Sequence, residues 1–304
     1  MNGGGVIDFL QNTIDGVMIG SSYALLALGF TLIFGVMRRL NLAYGPSIMV
    51  GAYLGTLVYL QLSADPLMVV AVTVAGAVLA GVYVEQLCFA PMAAGAGVAS
   101  MVSSFAIWMQ LEQAAILVLP RHTYPFPPLA ASAPLTLGPF QVRIDHLIML
   151  GCALALSAGV QLLLYRSRFG LALRAIINNP VAAHLVGINV RIAMAGAFAL
   201  ASVVGSIAGY LVLASDQQVT PMFGMWATFK GLIAMMIGGL GSIPGAIVGG
   251  LVLGVVEVNG QWYFGPQARD LFAYGLLFVC LILRPGGLLG AAPVREPATG
   301  HRGT

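Results

Sequence analysis

The chain has 304 residues, of which 59% are hydrophobic and 8% charged, and its formal net charge is +3. An ordinary soluble domain carries roughly 25% charged residues, so this composition excludes a water-facing globular fold. Its thirteen Lys and Arg are too few and too scattered to form a nucleic-acid surface. Apolar windows of about 20 residues recur, each long enough to cross a hydrocarbon layer, and backbone inside lipid must be hydrogen-bonded internally. The fold class expected is all-α: a polytopic helical membrane protein with about eight or nine transmembrane helices, some broken at Gly/Pro segments.

In chain order, the opening stretch MNGGGVIDFLQNTIDG has no basic run and carries Asp8 and Asp15, unlike a cleavable signal. The first span is expected at Val17–Val36, with an amphipathic lead-in reaching back to Val6. Further spans are expected at Leu42–Leu60, Pro66–Phe89, Val98–Leu119 and Ile144–Tyr165, then at Ile192–Ala214, Trp226–Leu240, Ile243–Val258 and Ala268–Leu283. Between the fourth and fifth, residues 120–145 hold six prolines and no long apolar run, which makes this the one sizeable extramembrane loop besides the start. Residues 166–191 are too polar to span. They carry Arg166, Arg168, Arg174 and Arg191, with apolar residues at near-helical spacing on either side of Asn179-Pro180. Pro is favoured in a first helical turn and disfavours helix in the residue before it, so this reads as helix–break–helix. One apolar face holds Phe169, Leu173, Ile176 and Ile177, and a second holds Ala182, Ala183, Val186 and Ile188.

Basic residues favour the cytoplasmic side. That rule places Arg38, Arg39, the 166–191 connector and the tail with Arg284, Arg295 and Arg302 inside. The 120–145 loop, with Arg121 and Arg143, and the N-terminus fall outside, which requires nine crossings. An interfacial element that only fixes topology and a docking surface for a cytoplasmic partner both fit the connector.

Gly-rich punctuation is dense in NLAYGPSIMVGAYLG and in IGGLGSIPGAIVGGLVLG, a weak internal repeat of the kind transporters build from duplicated halves. Most of these glycines read as helix-packing positions. The breaks at 41–47 and 238–245 read as discontinuous helices, which persist at membrane depth only when buried in protein or facing a cavity. Asn41, Tyr44 and Gly45, with Trp108 nearby, are therefore the candidate lining of a central path. Lys230 and Glu257 lie at similar distances from the turn joining their helices and are expected to form a structural ion pair. Glu85 and Glu112, near the ends of their spans, are expected to reach toward water. Cys88, Cys152 and Cys280 read as small hydrophobes, and no metal or cofactor is expected. His122, His146 and His301 fall in loops or at boundaries, and His184 in the connector.

The connector GLALRAIINNPVAAHLVGINV resembles the cytoplasmic loop of permeases of the branched-chain amino acid ABC importer family, with the pattern G-x-A-x-R-A-x-x-x-[ND]-x-x-x-A-x-x-x-G-I-N. The stretch from Gly20 to Tyr53 is similar to that family's first two helices, and Phe229–Glu257 and LRPGGLLG to its C-terminal signatures. The resemblance covers nearly the whole chain and implies an H-type permease subunit in a bacterial inner membrane, passing a branched-chain amino acid or a related amide or organic acid. Implied partners are a second homologous permease, two ATP-binding cassette ATPases and a periplasmic binding protein, besides membrane lipid. It also implies that Arg168, Gly170, Arg174, Asn179, Pro180, Ala183 and Gly187 belong to the segment that couples to the ATPases. This chain departs from the family at Tyr44, where His is usual, and at Ala106, Trp108 and Glu112. The family's E-R and R-P before the first cytoplasmic loop are here Glu85-Gln86 and Ala90-Pro91.

Two other classes compete. A stand-alone channel or secondary carrier explains the apolar spans but leaves the patterned connector without a task. A membrane-embedded hydrolase is suggested by GLGS ending at Ser242, but a serine nucleophile needs a base within reach, and no His occurs between His184 and His301. Nucleotide hydrolysis by this chain is disfavoured, because its one lysine, Lys230, follows MWATF rather than a phosphate-binding Gly-rich loop.

Overall fold

The computed structural model describes residues 3–62, 65–92, 97–118, 123–129, 135–137 and 140–290. Leu119, Arg121, His122, Arg295, His301 and Arg302, singled out above, lie outside the described residues. The helices are α1 (Gly3–Met37), α2 (Tyr44–Leu62), α3 (Pro66–Val84) with a π-helical turn at Glu85–Phe89, α4 (Gly97–Val118) and α5 (Ile144–Arg166). They continue with α6 (Arg168–Asn178), α7 (Pro180–Leu185), α8 (Val190–Asp216), α9 (Phe223–Gly238), α10 (Ile243–Phe264) and α11 (Ala268–Leu283). The chain is a multi-pass, all-α membrane protein. Six segments among the described residues are long and apolar enough to cross a bilayer: α1, α3 with its π-turn, α4, α5, α8 and α10.

The other three expected spans, α2, α9 and α11, fall outside that set. Helix α9 has 16 residues, which at 1.5 Å per residue is about 24 Å and short of a roughly 30 Å hydrocarbon core. The reason is visible at its start. After α8 the chain turns back through a short extended stretch, and Phe223 packs against Gly209, seven residues before the end of α8. Helix α9 therefore begins inside the bundle, as a discontinuous element. Extension of α1 back to Gly3 gives it 35 residues, longer than the Val17–Val36 core read from hydropathy.

Burial sorts the helices into a centre and a rim. In the spanning windows of α1 and α8, 83% and 78% of residues are buried, against 17% in α4. The axis of the bundle is α1, which packs on α8, α9 and α10. At its glycines the contact with α10 brings backbone against backbone: a Cβ on Gly254 would sit 2.3 Å from the Gly16 carbonyl oxygen and 2.4 Å from Gly20 Cα. A Cβ on Gly250 would meet Ala24 N at 2.3 Å. Here the glycines of the second Gly-rich segment serve close helix approach.

The proline-rich loop contains four short strands' worth of order with its neighbour. Strand β1 (Tyr124–Pro125) pairs antiparallel with β4 (Gln218–Val219), and β2 (Leu135–Leu137) with β3 (Phe140–Val142). The loop is tied to α1 where Gln11 Nε2 donates to the Gln141 carbonyl at 2.7 Å and Gln11 Oε1 accepts from Gln141 N at 3.1 Å. Arg143 binds Asp145 through two nitrogens, at 3.1 and 2.6 Å, and Ser215 donates to the same carboxylate at 2.9 Å.

Candidate functional site: a broken-helix junction and a capped connector

Between α1 and α2 the chain leaves helical geometry over residues 38–43, with Arg38 at φ 55°. The backbone groups released there find side-chain partners from distant helices. Asn41, 2% exposed, accepts from Ala43 N at 3.0 Å. Ser104 on α4 accepts from Leu42 N at 3.2 Å, and Thr228 on α9 accepts from Gly45 N at 3.2 Å. The Thr228 hydroxyl in turn donates to Gly224 O at 2.9 Å. Pro46 lies in the first turn of α2, where its missing N–H removes no helical bond. A Cβ on Gly45 would lie 2.1 Å from Gly224 O, so the starts of α2 and α9 touch backbone to backbone.

Tyr44 is 1% exposed and lies in the packed interior between α1 and α8. Its hydroxyl donates to Ala201 O at 3.1 Å, its ring meets Phe30 edge-on at 4.6 Å, and Gly29 and Gly205 leave the room it fills. The side chain thus anchors the start of α2 and faces neither lipid nor an open cavity of this chain. Trp108 is 7% exposed, one turn beyond Ser104 on the same face of α4. Its indole N–H donates to Glu112 at 2.8 Å, and its ring lies edge-on to Phe229 at 6.2 Å. The fold brings Trp108, Asn41 and Gly45 together around Thr228-Phe229. Ser104 and Thr228 were not distinguished by sequence reasoning; only the need to satisfy a broken backbone could have pointed to them.

Lys230 and Glu257 meet in the interior, with Nζ donating to Oε1 at 2.6 Å. They belong to a wider network. Glu257, with a side chain 1% exposed, also accepts from Arg269 Nε at 3.1 Å and from the Tyr23 hydroxyl at 3.0 Å. Lys230 also donates to Asp270 at 2.8 Å, and Arg269 donates to the Tyr23 oxygen. Two cations and two carboxylates cancel in this network, which runs from buried Glu257 and Lys230 out to the exposed Asp270. Ser242, the residue of the hydrolase alternative, caps α10 by accepting from Gly245 N at 3.2 Å.

Of the two acidic residues near span ends, Glu85 differs from expectation. Glu85 is 3% exposed, in the π-turn, and faces Arg191. It is buried beside a cation supplied by the connector rather than extended into water. Glu112 bonds Trp108 as described.

The connector folds as two capped helices. Ser167 caps α6, accepting from Gly170 N at 3.0 Å. Asn179 caps α7, accepting from Val181 N and Ala182 N, each at 3.0 Å, with Pro180 in the first turn. Helix α7 ends where Gly187 adopts φ 84°; Gly187 N bonds His184 O at 3.0 Å and Ile188 N bonds Ala183 O at 3.1 Å. That is a left-handed C-terminal cap, and it explains the glycine without any steric need, since nothing lies within 4 Å of its absent Cβ. Gly170 has the opposite reason: a Cβ there would lie 2.2 Å from Leu164 O. Arg174 lies over the Tyr165 ring, 5.1 Å from its centroid, and Arg168 opens α6.

Leu173, Ile176 and Ala183 are buried against the bundle. The second apolar face differs from the sequence reading. Ala182 is exposed, and Val186 (77% exposed) joins Val181 and Leu185 in an outward patch, because the cap at Asn179 turns α7 relative to α6.

A family model described as the permease component of branched-chain amino acid transport systems matches residues 12–281. The high-affinity branched-chain amino acid transport system permease protein BraD of Pseudomonas aeruginosa is 29% identical over 303 residues, covering 96% of this chain and 99% of BraD. The corresponding permease protein LivH of Escherichia coli K12 is 29% identical, covering 95% of this chain and 97% of LivH. Among solved structures, PsaBC from Streptococcus pneumoniae in complex with Fab superposes with a TM-score of 0.51 at 14% identity, over 91% of this chain and 92% of that one. That likeness shows a shared fold. The chain belongs to the family of permease components of branched-chain amino acid transport systems.

Proposed function

We propose that this chain forms half of the translocation path of an ATP-driven importer in a bacterial inner membrane. A second homologous permease supplies the other half, two ATPases act on the connector, and a periplasmic binding protein delivers a branched-chain or related amino acid, amide or organic acid. The observation that carries this reading is the connector: Ser167, Asn179 and Gly187 fix two short helices in one shape, and their outward side is the apolar patch of Val181, Leu185 and Val186. Apolar surface held rigidly in water is otherwise a liability and marks a docking site. With Arg168, Gly170, Arg174, Asn179, Pro180, Ala183 and Gly187 shaping it, the segment transmits closure of the ATPases to the bundle. It lies on the cytoplasmic side by its arginines, and the 120–145 loop on the external side.

The path runs along the face where the 41–45 break meets Trp108 and Phe229, with Tyr44 fixing the start of α2 from behind. The buried Lys230–Glu257 pair is structural. Proteoliposomes holding the four-subunit core test this with the binding protein added. Arg174→Glu and Gly187→Leu should insert normally yet lose uptake and ligand-stimulated ATP hydrolysis together. Wild-type levels of both in either variant defeat the coupling assignment, and uptake by this chain without ATPases would identify a channel or carrier instead.

A further inference from the structure

At the end of the bundle that carries the connector, a cleft of about 960 Å³ opens between the end of α1, the π-turn after α3, and the segment from α6 to the start of α8. Arg38 and Arg39 stand on one wall; Arg191 and His184 stand on the other. Glu85 closes the back, 3% exposed and facing Arg191. Arg38 and Arg191 outnumber Glu85, so the cleft holds a surplus of positive charge. The rest of the lining is largely apolar, with Val36, Met37, Phe89, Ile177 and Met194 beside the cations. Arg38 holds its place by a left-handed backbone that a non-glycine residue rarely adopts.

We propose that this cleft binds the phosphodiester headgroup of an anionic phospholipid of the cytoplasmic leaflet, with an acyl chain along the apolar wall. The assignment of the leaflet rests on the orientation proposed above. Three features select this ligand. The cations lie at the ends of spanning helices, the depth at which headgroups lie, and basic pockets between helices on the cytoplasmic side suit anionic heads. The surplus of positive charge disfavours a zwitterionic head. The adjoining apolar wall gives a soluble phosphate nothing to bind, whereas an acyl chain gains by covering it. Because the cleft separates the connector from α1, a lipid seated there would brace α7 and the start of α8 against the bundle.

The test is native mass spectrometry of the full-length permease, alone and in its assembled complex, delipidated and titrated with phosphatidylglycerol, phosphatidylcholine or glycerol 3-phosphate. One phosphatidylglycerol should bind per chain in preference to phosphatidylcholine, and should remain bound in the complex. Arg38→Gln with Arg191→Gln should weaken it about thirtyfold, since each cation near the membrane surface contributes about fivefold. The corresponding Lys pair should retain most of the binding, and Arg284→Gln, a charge change outside the cleft, should leave it unaltered. The proposal is overturned if glycerol 3-phosphate binds as tightly as the lipid, if Arg284→Gln weakens binding as much as the pair, or if the ATPases expel the lipid.

Discussion

Replacing Glu257 by Gln removes one negative charge from the centre of three partners. Lys230 Nζ (2.6 Å), Arg269 Nε (3.1 Å) and the Tyr23 hydroxyl (3.0 Å) all bond that carboxylate, whose side chain is 1% exposed. Afterwards Lys230 keeps only Asp270, whose side chain is 67% exposed, and Arg269 loses its carboxylate partner. Stranding a partner of a buried pair costs about 3–5 kcal/mol. Lys230→Met should cost less, because Glu257 keeps Arg269 and Tyr23. Asp270→Asn should cost about 0–1 kcal/mol, since solvent already screens that bond. At roughly 2–4 °C per kcal/mol for a chain of this size, Glu257→Gln should lower the melting temperature in detergent by roughly 10 °C, and Asp270→Asn by at most a few degrees. The Lys230→Met/Glu257→Gln double variant should lose less than the sum of the singles, and the charge exchange at these positions should recover part of the loss. Thermal unfolding followed by fluorescent size-exclusion reads all five. An Asp270→Asn loss equal to that of Glu257→Gln, or additive singles, would refute the network as the source of stability.

Tyr44→Phe should cost about 0.5–1.5 kcal/mol for one hydrogen bond, whereas Tyr44→Ala should cost about 3–5 kcal/mol by emptying the space between Gly29 and Gly205; thermal unfolding separates them. Gly254→Val should prevent accumulation of monodisperse protein because its side chain would enter the α1 backbone, while Gly275→Ala, with nothing within 4 Å, should match wild type or gain up to about 1 kcal/mol. In the connector, Asn179→Ala should lose about 1 kcal/mol of capping and lower uptake without lowering membrane insertion. Gly187→Asn should keep more uptake than Gly187→Val, because Asn tolerates the left-handed region and a β-branched residue does not.

Hydropathy located the six long spanning helices because lipid imposes a length and forbids open backbone, and both constraints are written locally; it could not tell α2, α9 and α11 from them. The break at Asn179-Pro180 was legible for a related reason, since a proline decides a helix start within a few residues, whereas Gly187 came in only through the family resemblance and its left-handed turn was seen only in the structure. What escaped was set by contacts distant in sequence. Lys230 and Glu257 could be paired from their symmetric distance to one turn, but nothing near Tyr23, on α1, marks it as their third partner. Glu85 resembled a residue reaching for water until the π-turn and Arg191 enclosed it. The role of Tyr44 turned on its environment: a residue at a helix break suggests an opening, yet two glycines on separate helices receive this one into the interior. Val186 faced outward because the cap at Asn179 sets a rotation that periodicity cannot carry across a break.

The glycine contact between α1 and α10 also limits how the molecule can move. Where the backbones touch at Gly16, Gly20, Gly250 and Gly254, no rotamer can change to let one helix turn or slide past the other, and the Tyr23–Glu257 bond ties the same two helices. The two helices form a keel. Movement that opens and closes the protein must then be carried by elements attached at few points, of which α4 is the plainest, joined to the remainder through Ser104, Trp108 and the π-turn. The helix breaks at 38–43 and 239–242 are where such movement can be taken up as backbone rotation. A spin label on α4 should therefore change its distance to the keel during the transport cycle, while labels on α1 and α10 keep theirs.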